Sequence, residues 1–243
     1  MKTMKELLRY QYRQYMLSGK YILPLITLLA VISVMYTVTP VGVVSSFSMM
    51  SLFLFLIMVW VGAVSQEIEP EVSEQIIILR LQSERIYYIS QILFMGMVSA
   101  VATGISIGVP MLNHILHGGG VFGRGILLFD VIGGFLLMCV CSFNGAMAGG
   151  IFHPRIVRDR KIGMGATFFL ALLVIVRIAV IHRFPVSKFV LWLVPPVSDV
   201  VSRFSNQEYF NMGKIMIVFG VLMGYGVIMA VLRVELLRIR KFV

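Results

Sequence analysis

The sequence predicts an all-α, polytopic membrane protein with six transmembrane helices. Three observations carry that prediction. Mean hydropathy is +0.94 and only 13% of the 243 residues are charged, against roughly 25% in soluble domains. Apolar runs recur at 21–38, 43–65, 87–110, 126–149, 164–182 and 214–233. Each is near the roughly 17–25 residues that cross the hydrocarbon core, and lipid obliges each to be helical because it offers no partner to a bare backbone. Finally, Lys and Arg alternate in density between the intervening segments. Fifteen of the 21 fall before the first run, after the second, fourth and sixth, and five in the opposite set, with Arg177 inside a run. This bias places both termini in the cytoplasm. It also accounts for the net charge of +10 without nucleic acid.

The whole chain, 1–243, reads as a single transmembrane domain with three appendages. Residues 1–20 carry charges and aromatics and no small-residue cleavage site follows, so the first run reads as an uncleaved span. That segment predicts an amphipathic helix lying in the interface. Met4, Leu8, Tyr12 and Tyr15 form one side, with Lys2, Arg9 and Arg13 towards the headgroups. The second appendage, 183–213, is external. Its apolar stretch from Phe189 to Val194 is too short to span, and Pro195-Pro196 breaks it. Ser198 or Asp199 can start another short helix, so two short helices dip into the outer leaflet. The external loop 111–124 is short and glycine-rich.

The third appendage, 66–86, holds "QEIEPEVSEQIIILRLQSERI", where Glu67, Glu69, Glu71, Glu74 and Glu84 gather nearly half of the eleven acidic residues. Pro70 belongs in the first turn of a new helix, so the second span ends or bends there. In that helix Val72, Ile76 and Leu79 are expected to pack inward, with Glu71, Glu74 and Gln75 outward. Ser83 is placed to cap the third span. The remaining cytoplasmic segments are basic, and an acidic helix clamped between two spans is suited to docking a partner; a solvated loop without a partner is the alternative.

Small residues recur at spacing four: Gly96, Ala100, Gly104 and Gly108 in the third span, Gly145 and Gly149 in the fourth, Gly220 and Gly224 in the sixth. Such stripes let helices approach closely, within one subunit or across a dimer. Asp130 and Arg177 fall at matching depths in the fourth and fifth spans and are expected to pair, since an unpartnered charge there costs several kcal/mol. The alternative is that Arg177 snorkels to the headgroups and Asp130 faces water. In the second span Met49, Phe53 and Trp60 share one stripe, whose flexible and flat side chains suit greasy cargo. Cys139 and Cys141 point to different helix faces and read as small core residues. His114 and His117 lack a third ligand, so no metal site is expected.

An amphipathic helix before six spans, a Glu-rich hairpin running into "SERIYYISQIL", and paired short helices before the last span together resemble the permease subunit of an ATP-binding-cassette exporter of the type-2 permease superfamily. The resemblance covers essentially the whole chain. It implies that 66–86 contains a coupling helix docking on a cassette-type ATPase subunit, with Glu67, Glu69, Glu71 and Glu74 as the contact region. It implies a cargo path lined by the second and fifth spans, hence Phe53 and Trp60. It implies pairing with a second permease copy or a related permease in a bacterial cell membrane. Compact members are similar to exporters of phenol-soluble modulins and other antimicrobial peptides. No P-loop occurs, so this chain is expected not to be an enzyme and to hold no cofactor, with ATP and magnesium in the partner. A membrane hydrolase lacks a nucleophile elbow or paired carboxylates. The remaining alternative is a secondary transporter or channel with no ATPase partner, which the nearly charge-free mid-membrane disfavours.

Overall fold

The computed structural model describes residues 2–81, 83–153, 156–157, 159–205 and 207–239, without the side chains of Lys2, Thr3, Glu71 and Val190. The elements, in order, are α1 (Lys2–Leu17), α2 (Ile22–Met35), α3 (Val43–Ser65), α4 (Glu71–Leu81), α5 (Glu84–Leu116), α6 (Leu128–Gly149), α7 (Arg160–Arg183), a 3₁₀ turn (Pro185–Ser187), α8 (Lys188–Leu191), α9 (Val197–Phe204) and α10 (Met212–Ile239). Five of these, α3, α5, α6, α7 and α10, are long and apolar enough to cross a membrane; a sixth crossing exists if the bent pair α1–α2 is counted as one. This is the architecture of a multi-pass membrane protein. The first expected span is shorter than the sequence suggests: its helix has 14 residues and meets α1 at 77°. Gly19, at φ +65°, supplies the left-handed residue that this elbow needs.

The centre of the bundle is the α3–α6 pair. A Cβ on Gly145 would sit 2.3 Å from the Phe55 carbonyl oxygen, one on Gly149 2.0 Å from that of Val59, and one on Gly62 2.3 Å from that of Ala146. Backbone therefore lies on backbone, which only glycine permits. The expected small-residue packing within one chain holds for the fourth span. In the third span Gly96 faces Phe143 of α6 at 3.9 Å, while beside Gly104, Gly108, Gly220 and Gly224 nothing lies within 4 Å of an added Cβ. Around the central pair, α6 also packs on α10, α5 and α7, while α3 also packs on α9, α2, α5 and α7.

Helix α1, α4 and the last turns of α10 share one end of the bundle, since Tyr10 of α1 reaches Glu69 and Leu237 of α10 packs with Ile78 of α4. At the opposite end the 36–42 and 117–127 segments join through an isolated bridge between Val41 and Phe122. The Tyr36 and Phe47 rings both pack edge-on to Phe122. Helix α5 continues through Pro110 to Leu116, six residues past the expected end of that span. Proline is tolerated inside a membrane helix where its surroundings re-satisfy the freed carbonyl.

The short helices before α10 fold back against the bundle. Tyr225, in the middle of α10, donates through its hydroxyl to the Trp192 carbonyl at 2.6 Å. Thirteen residues separate Tyr225 from the start of α10, about 20 Å of helix, so the tip around Trp192 reaches far down the bundle. Val197 and Phe204 of α9 are buried.

The expected Asp130–Arg177 pair is not formed, because each charge has a partner on the segment that folds over it. Arg124 grips Asp130 with both amino groups, at 2.8 and 3.0 Å, and lies 4.1 Å from the centre of the Tyr209 ring. Asp130 also accepts from the Leu127 N–H at 3.2 Å, closing the first turn of its own helix. Arg177 donates to Asp199 of α9 at 2.6 Å. Asp130 is 1% exposed and Arg177 7%, and charges so buried require this compensation.

Candidate docking helix and the hydrogen-bonded seat beneath it

Helix α4 begins after Pro70, where the Glu74 N–H bonds to the Pro70 carbonyl at 3.1 Å. Proline needs no amide partner there, which is why the break falls at this residue. Upstream, α3 unwinds at Ser65. Gln66 ties that end to α6 by donating to the Gly149 carbonyl at 2.8 Å and to the Gly62 carbonyl at 3.2 Å. Downstream, Ser83 has the extended backbone of a cap (φ −152°, ψ 107°) but its side chain makes no capping bond. The position was legible and the interaction was not.

The faces of α4 are the reverse of those expected. Glu74 is 5% exposed and Ile78 9%, whereas Val72, Ile76 and Leu79 are 66%, 53% and 76% exposed. The inner face is held by Tyr87 and Tyr88 of α5 and Leu237 of α10, with Ile77 and Leu81 packed beside them. This apolar contact and the polar cluster next to it outcompete burial of the valine–isoleucine–leucine stripe. Residues 72, 76 and 79 follow the i, i+4, i+7 spacing of one helical face. Helix α4 thus presents an apolar ridge away from its own bundle.

The acidic residues serve as the seat. Glu67 pairs with Arg160 at 2.8 Å and lies 3.6 Å from Lys20. Glu69 accepts from the Tyr10 hydroxyl at 3.2 Å and from the Tyr87 hydroxyl. Gln91 donates to the Tyr87 oxygen at 2.9 Å, and Arg233 donates to the Gln91 side-chain Oε1 at 3.2 Å. One continuous relay, Arg233–Gln91–Tyr87–Glu69–Tyr10, therefore links α10, α5, the α3–α4 turn and α1. Close by, Gln11 of α1 donates to the Ser90 hydroxyl at 2.8 Å. A cavity of about 50 Å³ sits among these groups, lined also by Glu74 and His153. Burial raises the Glu69 carboxyl above its usual range, against the lowering effect of its two tyrosine donors. The Tyr10 phenol is pushed up to about 12 by burial and by the Glu69 charge. Of the four glutamates expected at a contact region, Glu67, Glu69 and Glu74 are turned to their own chain, and the side chain of Glu71 lies outside the described residues.

The relay residues Tyr87, Gln91 and Arg233 escaped the sequence reading. The available signal was a polar run, "YYISQ", at the start of a span, and an arginine at the end of another. Helix α1 also faces differently from expectation: Leu7, Gln11 and Tyr15 are buried and Tyr12 is 57% exposed, because α1 must present Gln11 to Ser90. On α3, Met49 and Trp60 are exposed and Phe53 is half-buried, so the stripe expected to meet cargo lies on the outside of the single chain. The chain matches no protein-family model, no curated protein and no solved structure.

Proposed function

We propose that this chain is the membrane-spanning permease subunit of an ATP-driven exporter of the ATP-binding-cassette class. It would move amphipathic peptides or hydrophobic drugs out of a bacterial cell, with a separate ATPase subunit supplying hydrolysis. One observation supports this above others: α4 holds an apolar ridge of Val72, Ile76 and Leu79 outward while its opposite face is fixed to two other helices, α5 and α10. Exposed apolar ridges on otherwise polar appendages mark interaction surfaces. A ridge fixed in this way transmits a push. Force on α4 passes through Tyr87 and Gln91 to α5, through Arg233 to α10, and through Gln66 to the α3–α6 pair, which the glycine contacts make one body. ATP drives transport in this scheme only because the partner binds one conformation of the ridge better than the other.

The outward stripe of Met49, Phe53 and Trp60 then faces a second permease copy across a shared cargo path. Phe53→Ala and Trp60→Ala should each weaken export of at least one cargo; unchanged resistance to every cargo tested removes them from the path. The runner-up, a secondary carrier or channel, gains little, since the buried titratable cluster lies at the bundle end and not at mid-bilayer.

The test is purification from the native host in mild detergent, with mass spectrometry of whatever co-elutes. A cassette-type ATPase should accompany the wild type and be lost from Ile76→Glu/Leu79→Glu, whose side chains are exposed and whose thermal unfolding should not change. An ATPase retained by the variant would show that the ridge is not the dock. No ATPase with either protein would remove the exporter reading and promote the carrier.

A further inference from the structure

The concave side of the α1–α2 elbow encloses an almost wholly apolar groove of about 340 Å³, within the roughly 300–1,000 Å³ typical of small-molecule sites. Its floor is Met58 and Val61 of α3, and its walls are Leu25 of α2 and Val101 of α5. It opens beneath Tyr12 and Met16 of α1 and runs down α5 from Phe94 to Ile105. The eleven rises between them measure about 16 Å of helix. The groove therefore runs along α5 in the direction of the spans. A hydrocarbon chain lying parallel to α5 fits that run of apolar lining.

The mouth of the groove states the charge of the ligand. Lys5, Arg9, Tyr12 and Met16 follow the spacing i, i+4, i+7, i+11 on one face of α1, and all are exposed. Arg13 is exposed on the adjoining side. Lys5, Arg9 and Arg13 make no ion pair among the described residues, whereas Lys20, at the elbow, lies against Glu67. Arg9 thus lies one turn from Tyr12, on the face of α1 whose Tyr12 and Met16 line the groove. Because α1 meets α2 at 77°, α1 lies across the direction of the bundle. That is the orientation of a helix in the interfacial plane when its neighbour enters the membrane.

We infer that this groove is a binding site for one anionic phospholipid, whose acyl chain lies along α2 and α5 and whose phosphate meets Arg9, Arg13 and Lys5. A bound chain would wedge the elbow and couple the position of α1, and with it the Tyr10–Glu69 bond, to the lipid. The inference is independent of what α4 docks.

The experiment uses the full chain reconstituted in nanodiscs containing equal amounts of phosphatidylglycerol and phosphatidylcholine with the same acyl chains. The protein is then extracted in mild detergent, and the lipid retained per chain is measured by mass spectrometry. Wild type should retain phosphatidylglycerol in preference to phosphatidylcholine. Arg9→Glu/Arg13→Glu should reduce that preference about tenfold, on the scale expected for charges beside an anionic headgroup. Ala102→Phe, which fills the groove from α5, should lose both lipids. Val101→Trp is the second variant should Ala102→Phe fail to fold, because Val101 is 64% exposed. Equal retention of the two lipids by wild type, or unchanged retention in either groove variant, overturns the proposal. Recovery of an amphipathic peptide in place of lipid also overturns it.

Discussion

Glu69 is where α1, α5 and the α3–α4 turn converge, and its protonation state is coupled to folding. Burial holds its carboxyl above the ordinary value of 4.5, so the folded protein binds that proton more tightly than the unfolded chain does. The stabilising contribution is complete below the ordinary carboxyl pKa and is lost as pH rises through the raised folded-state value. Thermal unfolding in detergent should therefore show a fall in stability above about pH 4.5 that Glu69→Gln flattens. Tyr87→Phe removes one donor to a charged acceptor, which costs about 1.5–3 kcal/mol. It also removes a contact that lowers the Glu69 pKa, so the pH-dependent loss should move to higher pH. A pH profile identical in all three proteins would show that the relay is not coupled to folding. The glutamates are visible in the sequence, but their partners within the chain are not, because the number of acidic residues says nothing about which tyrosine or arginine the fold brings to each. The same holds for Asp130. Depth matching proposed Arg177, but Arg124 lies on a loop that folds back onto Asp130, and a loop path is not written in hydropathy.

At the scale of elements, α3 and α6 are joined by backbone contact while Gly104 and Gly108 of α5 and Gly220 and Gly224 of α10 meet nothing, although both patterns read alike in sequence. The difference predicts opposite effects of one chemical change. Gly149→Ala places a Cβ where the Val59 carbonyl oxygen lies 2.0 Å away, and overpacking of this kind costs roughly 1–3 kcal/mol or more. Gly104→Ala and Gly220→Ala meet nothing within 4 Å and should gain roughly 0.5–1 kcal/mol from helix propensity. Thermal unfolding of the three variants in one detergent checks both signs, and a destabilised Gly104→Ala would mean that α5 packs more closely than the structure shows. Hydropathy gave the boundaries of α3 directly, since a span bounded by glycine and by polar residues has nowhere else to stop. It failed to place the faces of α1 and α4. Both helices lie outside the apolar bundle, where a few specific bonds, Gln11 to Ser90 and the contacts of Glu74 and Ile78, decide orientation against the simple rule that apolar residues turn inward.

For the molecule as a whole, the arrangement makes one end chemically unlike the other. The α4 end gathers α1, the last turns of α10, the polar relay and the apolar ridge. The opposite end is sealed by Arg124 on Asp130, by Arg177 on Asp199 and by the inward-turned α8–α9 segment. The positive-inside bias predicts the α4 end in the cytoplasm, and the proposed docking of a soluble ATPase requires that orientation. Two exposed positions decide it. Leu79 on α4 is 76% exposed and Val186, between α7 and α8, is 79% exposed, while the native Cys141 is buried and Cys139 partly so. With both native cysteines changed to Ala, a membrane-impermeant maleimide added to intact cells should label Val186→Cys. It should label Leu79→Cys only after the membrane is opened. Labelling in the reverse order would put the ridge outside the cell, where no ATP-driven partner could reach it, and the exporter reading would fall with the topology.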